Sequence, residues 1–131
     1  MTVGIATVNV ANKFLDLLCR AQAWTAPAGF FVKLHTADPG SAGATAAAGN
    51  TTRVGVTFSA ASGGSITNSA SVDWTSVSTA ETYSHISFWD ASSAGNFLGS
   101  AALTASKTVA VGDNFSLPAS NLTISISPVA A

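Results

Sequence analysis

Short segments in which apolar and polar residues alternate recur along this chain after residue 30. An alternation of period two places the apolar side chains on one face of a β-strand, because successive side chains point to opposite faces of a sheet. Gly, Asn, Ser and Asp separate the segments, and these residues favour turns. Short strands separated by such turns predict an antiparallel β-sandwich or a barrel-like β-domain. The segments are 30–36, 53–58, 71–74, 82–90, 97–104, 107–111 and 122–127.

The segment 30–36 runs into the turn sequence Asp38-Pro39-Gly40. An Asp side chain accepts hydrogen bonds from nearby backbone N–H groups, proline fixes φ, and glycine permits a positive φ. We therefore expect the strand to end before Asp38. The loop 41–50 that follows consists of Ala, Gly, Ser, Thr and a final Asn. It offers little apolar surface for packing, so we expect it to be mobile or held by a partner.

Residues 8–23 have the periodicity of an amphipathic helix, with Asn9 as a suitable N-cap. The apolar residues of this segment recur on one helical face, so we expect that stripe to pack on a sheet face or across an open end of the β-domain. The stripe consists of Val10, Phe14, Leu17, Leu18 and Ala21.

The length of 131 residues suits one domain. The sequence predicts a single β-rich domain over residues 1–131. Within it, the patterns above place one N-terminal α-helix at about residues 8–23 and a β-domain at about residues 30–128.

Charged residues make up only 8% of the chain, and the formal net charge is −1. Typical domains contain about 25% charged residues. A nucleic-acid-binding protein would need a basic patch, so this composition argues against nucleic acid as a partner. A surface of Ser, Thr, Asn and Gly instead meets other protein surfaces at a low desolvation cost. We therefore expect an assembly subunit.

The chain has no apolar run near the ~20 residues that a membrane-spanning helix needs. The segment Met1–Ile5 lacks the basic start of a signal peptide, and Cys19 is the one cysteine, so no disulfide framework is expected. These features predict a protein that is made in the cytoplasm and does not associate with a membrane.

The residues that bind metals are few and scattered. A structural zinc site has about four ligands, typically Cys or His. The chain offers His35, His85 and Cys19, which are far apart in sequence and form no H-x-x-x-H or C-x-x-C spacing. We expect no metal and no other cofactor. Each histidine sits on a predicted strand, where a hydrogen-bonded or solvent-edge role is expected.

The acidic residues do not indicate catalysis. Asp38, Asp90 and Asp113 sit beside Pro, Gly, Ser or Asn, as turn-forming Asp residues do. Glycoside hydrolysis needs two carboxylates at a set separation, and nothing in the sequence favours such a pair. A G-x-S-x-G nucleophile elbow is also absent from the sequence. We therefore predict no catalytic residue and no enzymatic activity.

Aromatic residues supply the candidate site instead. Trp and Tyr contribute much of the binding energy of protein interfaces, and their ring faces also stack on sugars. The sequence thus leaves three roles open: core packing, subunit contact, and a platform for a host glycan or receptor. We predict subunit contact for four residues, namely Trp24, Phe31, Tyr83 and Trp89.

The order of several motifs resembles that of small structural proteins of tailed phages and prophages, often described as tail-fibre or minor tail proteins. The first motif, L-H-T-x-D-P-G, follows an L-x-x-L helix, and four further motifs come after it. The N-E-x-x-G segment of that family is replaced here by residues 47–51. The matching segments are 34–40, 53–58, 83–90, 97–104 and 112–113.

The resemblance implies a non-enzymatic protein located in the virion and made in the bacterial host cytoplasm. It implies contacts with identical copies and with other phage virion proteins, in association with the tail or a tail fibre. Two alternatives stay open at this point. One is a capsid decoration protein that binds the capsid lattice, and the other is a module that binds a host carbohydrate or receptor.

Overall fold

The computed structural model describes residues 3–127 and residue 130. A π-helical turn, Thr7–Ala11, leads into helix α1, Asn12–Arg20. The strands in the described part of the chain are β1 (Gly4–Ile5), β2 (Phe31–His35), β3 (Val54–Gly55), β4 (Ser65–Thr67), β5 (Val72–Trp74), β6 (Glu81–Trp89), β7 (Phe97–Val109), β8 (Phe115–Leu117) and β9 (Thr123–Ser125).

The strands form two layers. The first layer is a five-stranded sheet in the order β1-β7-β6-β2-β3, and the second consists of the pairs β4-β9 and β5-β8. Every pairing is antiparallel. The predicted fold class, a mainly β antiparallel sandwich with one N-terminal helix, is confirmed. The core between the layers contains Val32, Leu34, Ile86 and Phe88 from the first layer and Val72, Trp74, Phe115 and Leu122 from the second.

Strand β2 is paired along both of its edges. On one side all five of its residues pair with β6. On the other side Phe31 and Val32 pair with β3. Beyond β3, the Ala48 N–H donates to the Leu34 carbonyl (3.1 Å) and the Thr36 N–H to the Ala46 carbonyl (3.0 Å). Backbone pairing thus accounts for the whole length of the strand.

The turn after β2 has the chemistry that its sequence predicts. The Gly40 N–H donates to Asp38 Oδ1 at 2.9 Å, and Gly40 has φ of +75°. The loop 41–50 differs from the expectation of a mobile or partner-bound segment, because it folds back onto its own sheet. Gly43 lies so close to the Phe97 ring that a Cβ there would collide with it. Backbone hydrogen bonds hold this loop on the sheet, and glycine at position 43 allows its close approach to Phe97.

A buried asparagine connects the two halves of the second layer. Asn68 is fully buried where the chain passes from β4 to β5. Its Nδ2 donates to the carbonyls of Ala70 (2.8 Å) and Pro118 (2.9 Å), and its Oδ1 accepts the Leu122 N–H (2.9 Å). Its backbone N–H donates to the Leu122 carbonyl, and its carbonyl accepts the Ser120 N–H. This amide therefore replaces the ladder hydrogen bonds that are lost at the corner.

Helix α1 differs from its prediction in length and in packing. It ends at Arg20 because Ala21 adopts a left-handed conformation, with φ of +52°. None of its side chains is buried. Val10, in the preceding turn, packs against the core, but Phe14, Leu17 and Leu18 are exposed. The expectation that this apolar stripe packs on a sheet is therefore wrong for α1.

Replacing Asn68 with Ala tests the role of the corner. The change leaves two carbonyls and one N–H without their partner, and each such buried group costs about 1–3 kcal/mol. We expect Asn68→Ala to lower the free energy of unfolding by about 3 kcal/mol or more, measured by urea denaturation. Asn121→Ala, at an exposed asparagine of the same corner, is the matched control. Equal losses in the two variants would contradict this role for Asn68.

Candidate functional site

A chain of hydrogen bonds joins three residues on the outer face of the five-stranded sheet. Trp89 Nε1–H donates to Ser87 Oγ at 2.8 Å. His35 Nε2 lies 2.7 Å from the same oxygen, and His35 Nδ1 lies 2.9 Å from the Thr45 carbonyl oxygen. A carbonyl only accepts, so Nδ1 carries the proton and Nε2 accepts from the Ser87 hydroxyl. The network thus selects one neutral tautomer of His35.

This serine–histidine pair resembles a catalytic pair in its distances but not in its access. A nucleophilic serine must reach the substrate. Ser87 and His35 are both fully buried. Burial lowers the pKa of His35 below its ordinary value, with the charge of Lys33 contributing in the same direction. The pair therefore stabilises the sheet face and its loop. His35 confirms the expected hydrogen-bonded role, although it does not lie at a solvent edge.

Three carboxylates accept hydrogen bonds from nearby backbone N–H groups, and one of them also from a side-chain amide. Asp90 accepts from the Asn96 backbone N–H and side-chain amide, both at 2.7 Å, and these bonds lower the pKa of Asp90. Asp113 accepts the Ala110 N–H at 2.9 Å. These contacts confirm the turn roles expected for both residues. Glu81, at the start of β6, accepts the N–H groups of Gly49 and Asn50.

The described residues contain no group of three or more His, Cys, Asp or Glu side chains that could hold a metal ion. Over the same residues, no helix is long and apolar enough to cross a membrane. The polar side chains described above bond within the β-body, by which we mean strands β2–β9 and the loops that join them.

Tyr83 is the predicted interface residue that the structure corrects. It is fully buried, and its ring packs edge-on against Phe115 with the ring centroids 5.3 Å apart. Strict alternation would place it opposite Ile86. The β6–β7 ladder is irregular between Tyr83 and His85, however, so the alternation is broken there. Tyr83 is therefore a core residue.

Trp89 and Phe31 occupy paired positions on neighbouring strands, and both are half-buried. The guanidinium carbon of Arg53 lies 3.8 Å from the centre of the Trp89 ring, and Phe97 packs against that ring at 5.6 Å. Arg53 Nη1 also donates to the carbonyl of Ala91 at 2.9 Å. Trp89 therefore anchors its own hairpin, and its role as a subunit contact stays a prediction, as does that of Phe31.

Trp24 lies in the segment between α1 and β2, separate from the other three predicted residues. It is half-buried and borders a polar cleft of about 220 Å³ with Asn9, Lys13 and Asp90. It also borders an apolar groove of about 390 Å³, which Phe88 lines too. The structure therefore does not gather the four predicted residues into one patch.

Among the described residues, helix α1 carries four exposed large apolar side chains, and the sequence prediction missed their exposure. Its leucines and its phenylalanine face solvent, while the charged residues occupy the other side of the helix. The amphipathic period was visible in the sequence. This period indicates that one face of the helix packs against an apolar surface, but it does not indicate whether that surface belongs to the same chain.

These features define an antiparallel β-sandwich with an exposed amphipathic helix. Residues 5–125 match the family described as Podophage GP4 fiber I protein gp80, and the chain belongs to that family. The match supports the resemblance to phage tail-fibre-like proteins, and this family implies a location in the virion. No curated protein matches the sequence.

The buried His35 predicts a pH dependence of stability. Its pKa is lower in the folded state than the ~6.5 of an unfolded chain, so the unfolded state takes up the proton first as the pH falls. We expect the free energy of unfolding to be highest above pH ~6.5 and to fall below it, by at most about 1.4 kcal/mol per pH unit. Urea denaturation from pH 7.5 to 5 measures this slope. His35→Asn should flatten it, and equal slopes would contradict the assignment.

Ser87→Ala tests the hydrogen-bond network itself. The change leaves the Trp89 N–H and His35 Nε2 without their partner, at a cost of about 1–3 kcal/mol in the free energy of unfolding. Ser93→Ala, at an exposed serine of the hairpin loop, should change stability by less than about 0.5 kcal/mol. If the two variants had the same denaturation midpoint, the network would contribute nothing to the free energy of unfolding.

Proposed function

We propose that this chain is a non-enzymatic structural subunit of a phage tail fibre, which assembles through contacts with identical copies and other virion proteins. The observation that carries the proposal is the family match, which covers residues 5–125. The buried state of Ser87 and His35 supports the absence of catalysis at that pair, since no substrate reaches it.

The surface of the chain suits assembly for a physical reason. Only 8% of its residues are charged, so few charges have to be stripped of water when the chain meets another protein surface. The body that carries this surface is tied by backbone pairing and by buried side-chain amide and imidazole bonds. A rigid body loses little conformational freedom on binding, which favours a stable contact.

The role of a capsid decoration protein has less support. The family is described as a fibre protein, and that description favours the tail over the capsid lattice. Both roles require the same physical step, namely burial of an apolar surface against identical copies or a larger scaffold.

Recognition of a host glycan is also less well supported than assembly. Sugar stacking needs an open ring face, and Arg53 covers a face of Trp89. Trp24 is then the remaining tryptophan of the predicted set. Its cleft contains polar groups, but Asp90 there is already bonded to Asn96. Binding of host glycans that Trp24→Ala abolishes would raise this alternative above assembly.

The location of the chain tests the proposal. We expect mass spectrometry of purified particles of the encoding phage to find the chain, and cryo-electron microscopy of the tail to place it in a fibre in several copies. Particles that lack the chain would overturn the structural role. Density for the chain on the capsid lattice would support the decoration role instead.

A further inference from the structure

Helix α1 and the turn before it carry an apolar face made of Val8, Phe14, Leu15, Leu17 and Leu18. Val8 is 71% exposed, Leu18 is 69% exposed and Leu15 is 54% exposed, whereas Leu17 and Phe14 are 45% and 39% exposed. These exposed side chains are close together in sequence and form one apolar patch. The largest apolar patch on a typical monomer is about 300–600 Å² and often functional.

Helix α1 is too short to be stable in water by its own hydrogen bonds. α1 spans nine residues and buries no side chain. Isolated helices shorter than ~12–15 residues are marginal in water, and most helical stability in proteins comes from packing of an amphipathic face. The β-body covers Val10 in the preceding turn but leaves the apolar face uncovered. Packing against another molecule would supply the stability that this face does not gain from the β-body.

The charges on the helix indicate what kind of molecule that is. Lys13, Asp16 and Arg20 lie on the polar side of the helix, and Arg20 pairs with Asp16 at 3.0 Å. Covering the apolar face thus buries no lone charge, which suits an equally apolar protein surface. A membrane-bound helix typically has a polar face rich in Lys and Arg. This polar face carries two cations and one acid, so a lipid surface is not favoured.

We propose that α1 is the self-association element of the chain, and that its apolar face packs against the apolar face of α1 in other copies. This inference rests on the proposed function, since it names the surface through which identical copies meet. Two copies related by a two-fold axis present the same patch to each other, so a face that is apolar throughout is its own complement. At 3.6 residues per turn, the apolar face of α1 extends over about 160° of the helix surface, from Leu17 to Leu15. This arc is wider than the seam between two helices, so the face can contact more than one neighbouring helix.

Light scattering coupled to size-exclusion chromatography tests the proposal. We expect the wild-type chain to elute as an oligomer, and Leu15→Gln combined with Leu18→Gln to shift it to the mass of one chain. A second variant, Leu15→Ala with Leu18→Ala, keeps the helix propensity high and should shift the mass in the same direction. Thermal unfolding of the β-body should be retained in both variants, since neither side chain is buried.

Val111 and Ile126 provide a matched control. They are 67% and 56% exposed and lie outside α1. Val111→Gln combined with Ile126→Gln removes two exposed apolar side chains of the same kind, and this variant should keep the wild-type mass.

Cys19, the one cysteine of the chain, is exposed on α1 and reports directly on helix proximity. A short bismaleimide should cross-link the wild-type chain into dimers through Cys19, and should fail to do so in the Leu15 and Leu18 variants. An oligomer that the leucine substitutions dissociate, but that Cys19 does not cross-link, would place α1 in another surface, such as the apolar groove of a neighbour. That result would overturn the packing of α1 on α1.

Three other results would also overturn the inference. They are a wild-type chain that is monomeric at all concentrations, an oligomer that survives the leucine substitutions, and a monomer that sediments with phosphatidylglycerol vesicles. The particle experiment above separates this inference from the proposed function. A chain that is present in a fibre but monomeric in isolation would leave the structural role standing and remove the role of α1.

Discussion

The side-chain amide of Asn68 is the interaction on which the second layer of the sandwich depends. Backbone pairing breaks between β4-β9 and β5-β8, where Pro118 has no N–H to donate. Three hydrogen bonds from one buried amide bridge this gap. Because the two strand pairs are held together there, Trp74 and Leu122 both reach the core that the five-stranded sheet closes from the other side.

His35 has a similar function on the outer face of that sheet. Its imidazole joins Ser87 on β6 to the Thr45 carbonyl in the loop after the Asp38 turn. The L-H-T-x-D-P-G segment therefore acts as one unit, in which Asp38 closes the turn and His35 holds the returning loop. The nearness of a serine and a histidine follows from this structural role, since burial keeps both from any substrate.

The β-body and α1 differ in how far their side chains are covered, and this difference indicates where contacts with other chains form. In the β-body, Glu81 and Asp90 accept hydrogen bonds from groups of the same chain. The helix leaves its leucines uncovered. A subunit of a phage fibre family needs a stable body and a surface for contact with other chains. In our proposal, α1 supplies such a surface without burying a lone charge.

The sequence by itself determined the mainly β class, the Asp38 turn and the amphipathic period of the helix, because these depend on local rules of alternation and turn chemistry. Only the tertiary structure decided which surfaces are covered. The irregular β6–β7 ladder turned Tyr83 into the core, Arg53 stacked over Trp89, and the loop 41–50 folded onto its own sheet. Each outcome depends on contacts between residues distant in sequence, and the period of a segment carries no information about its distant partner.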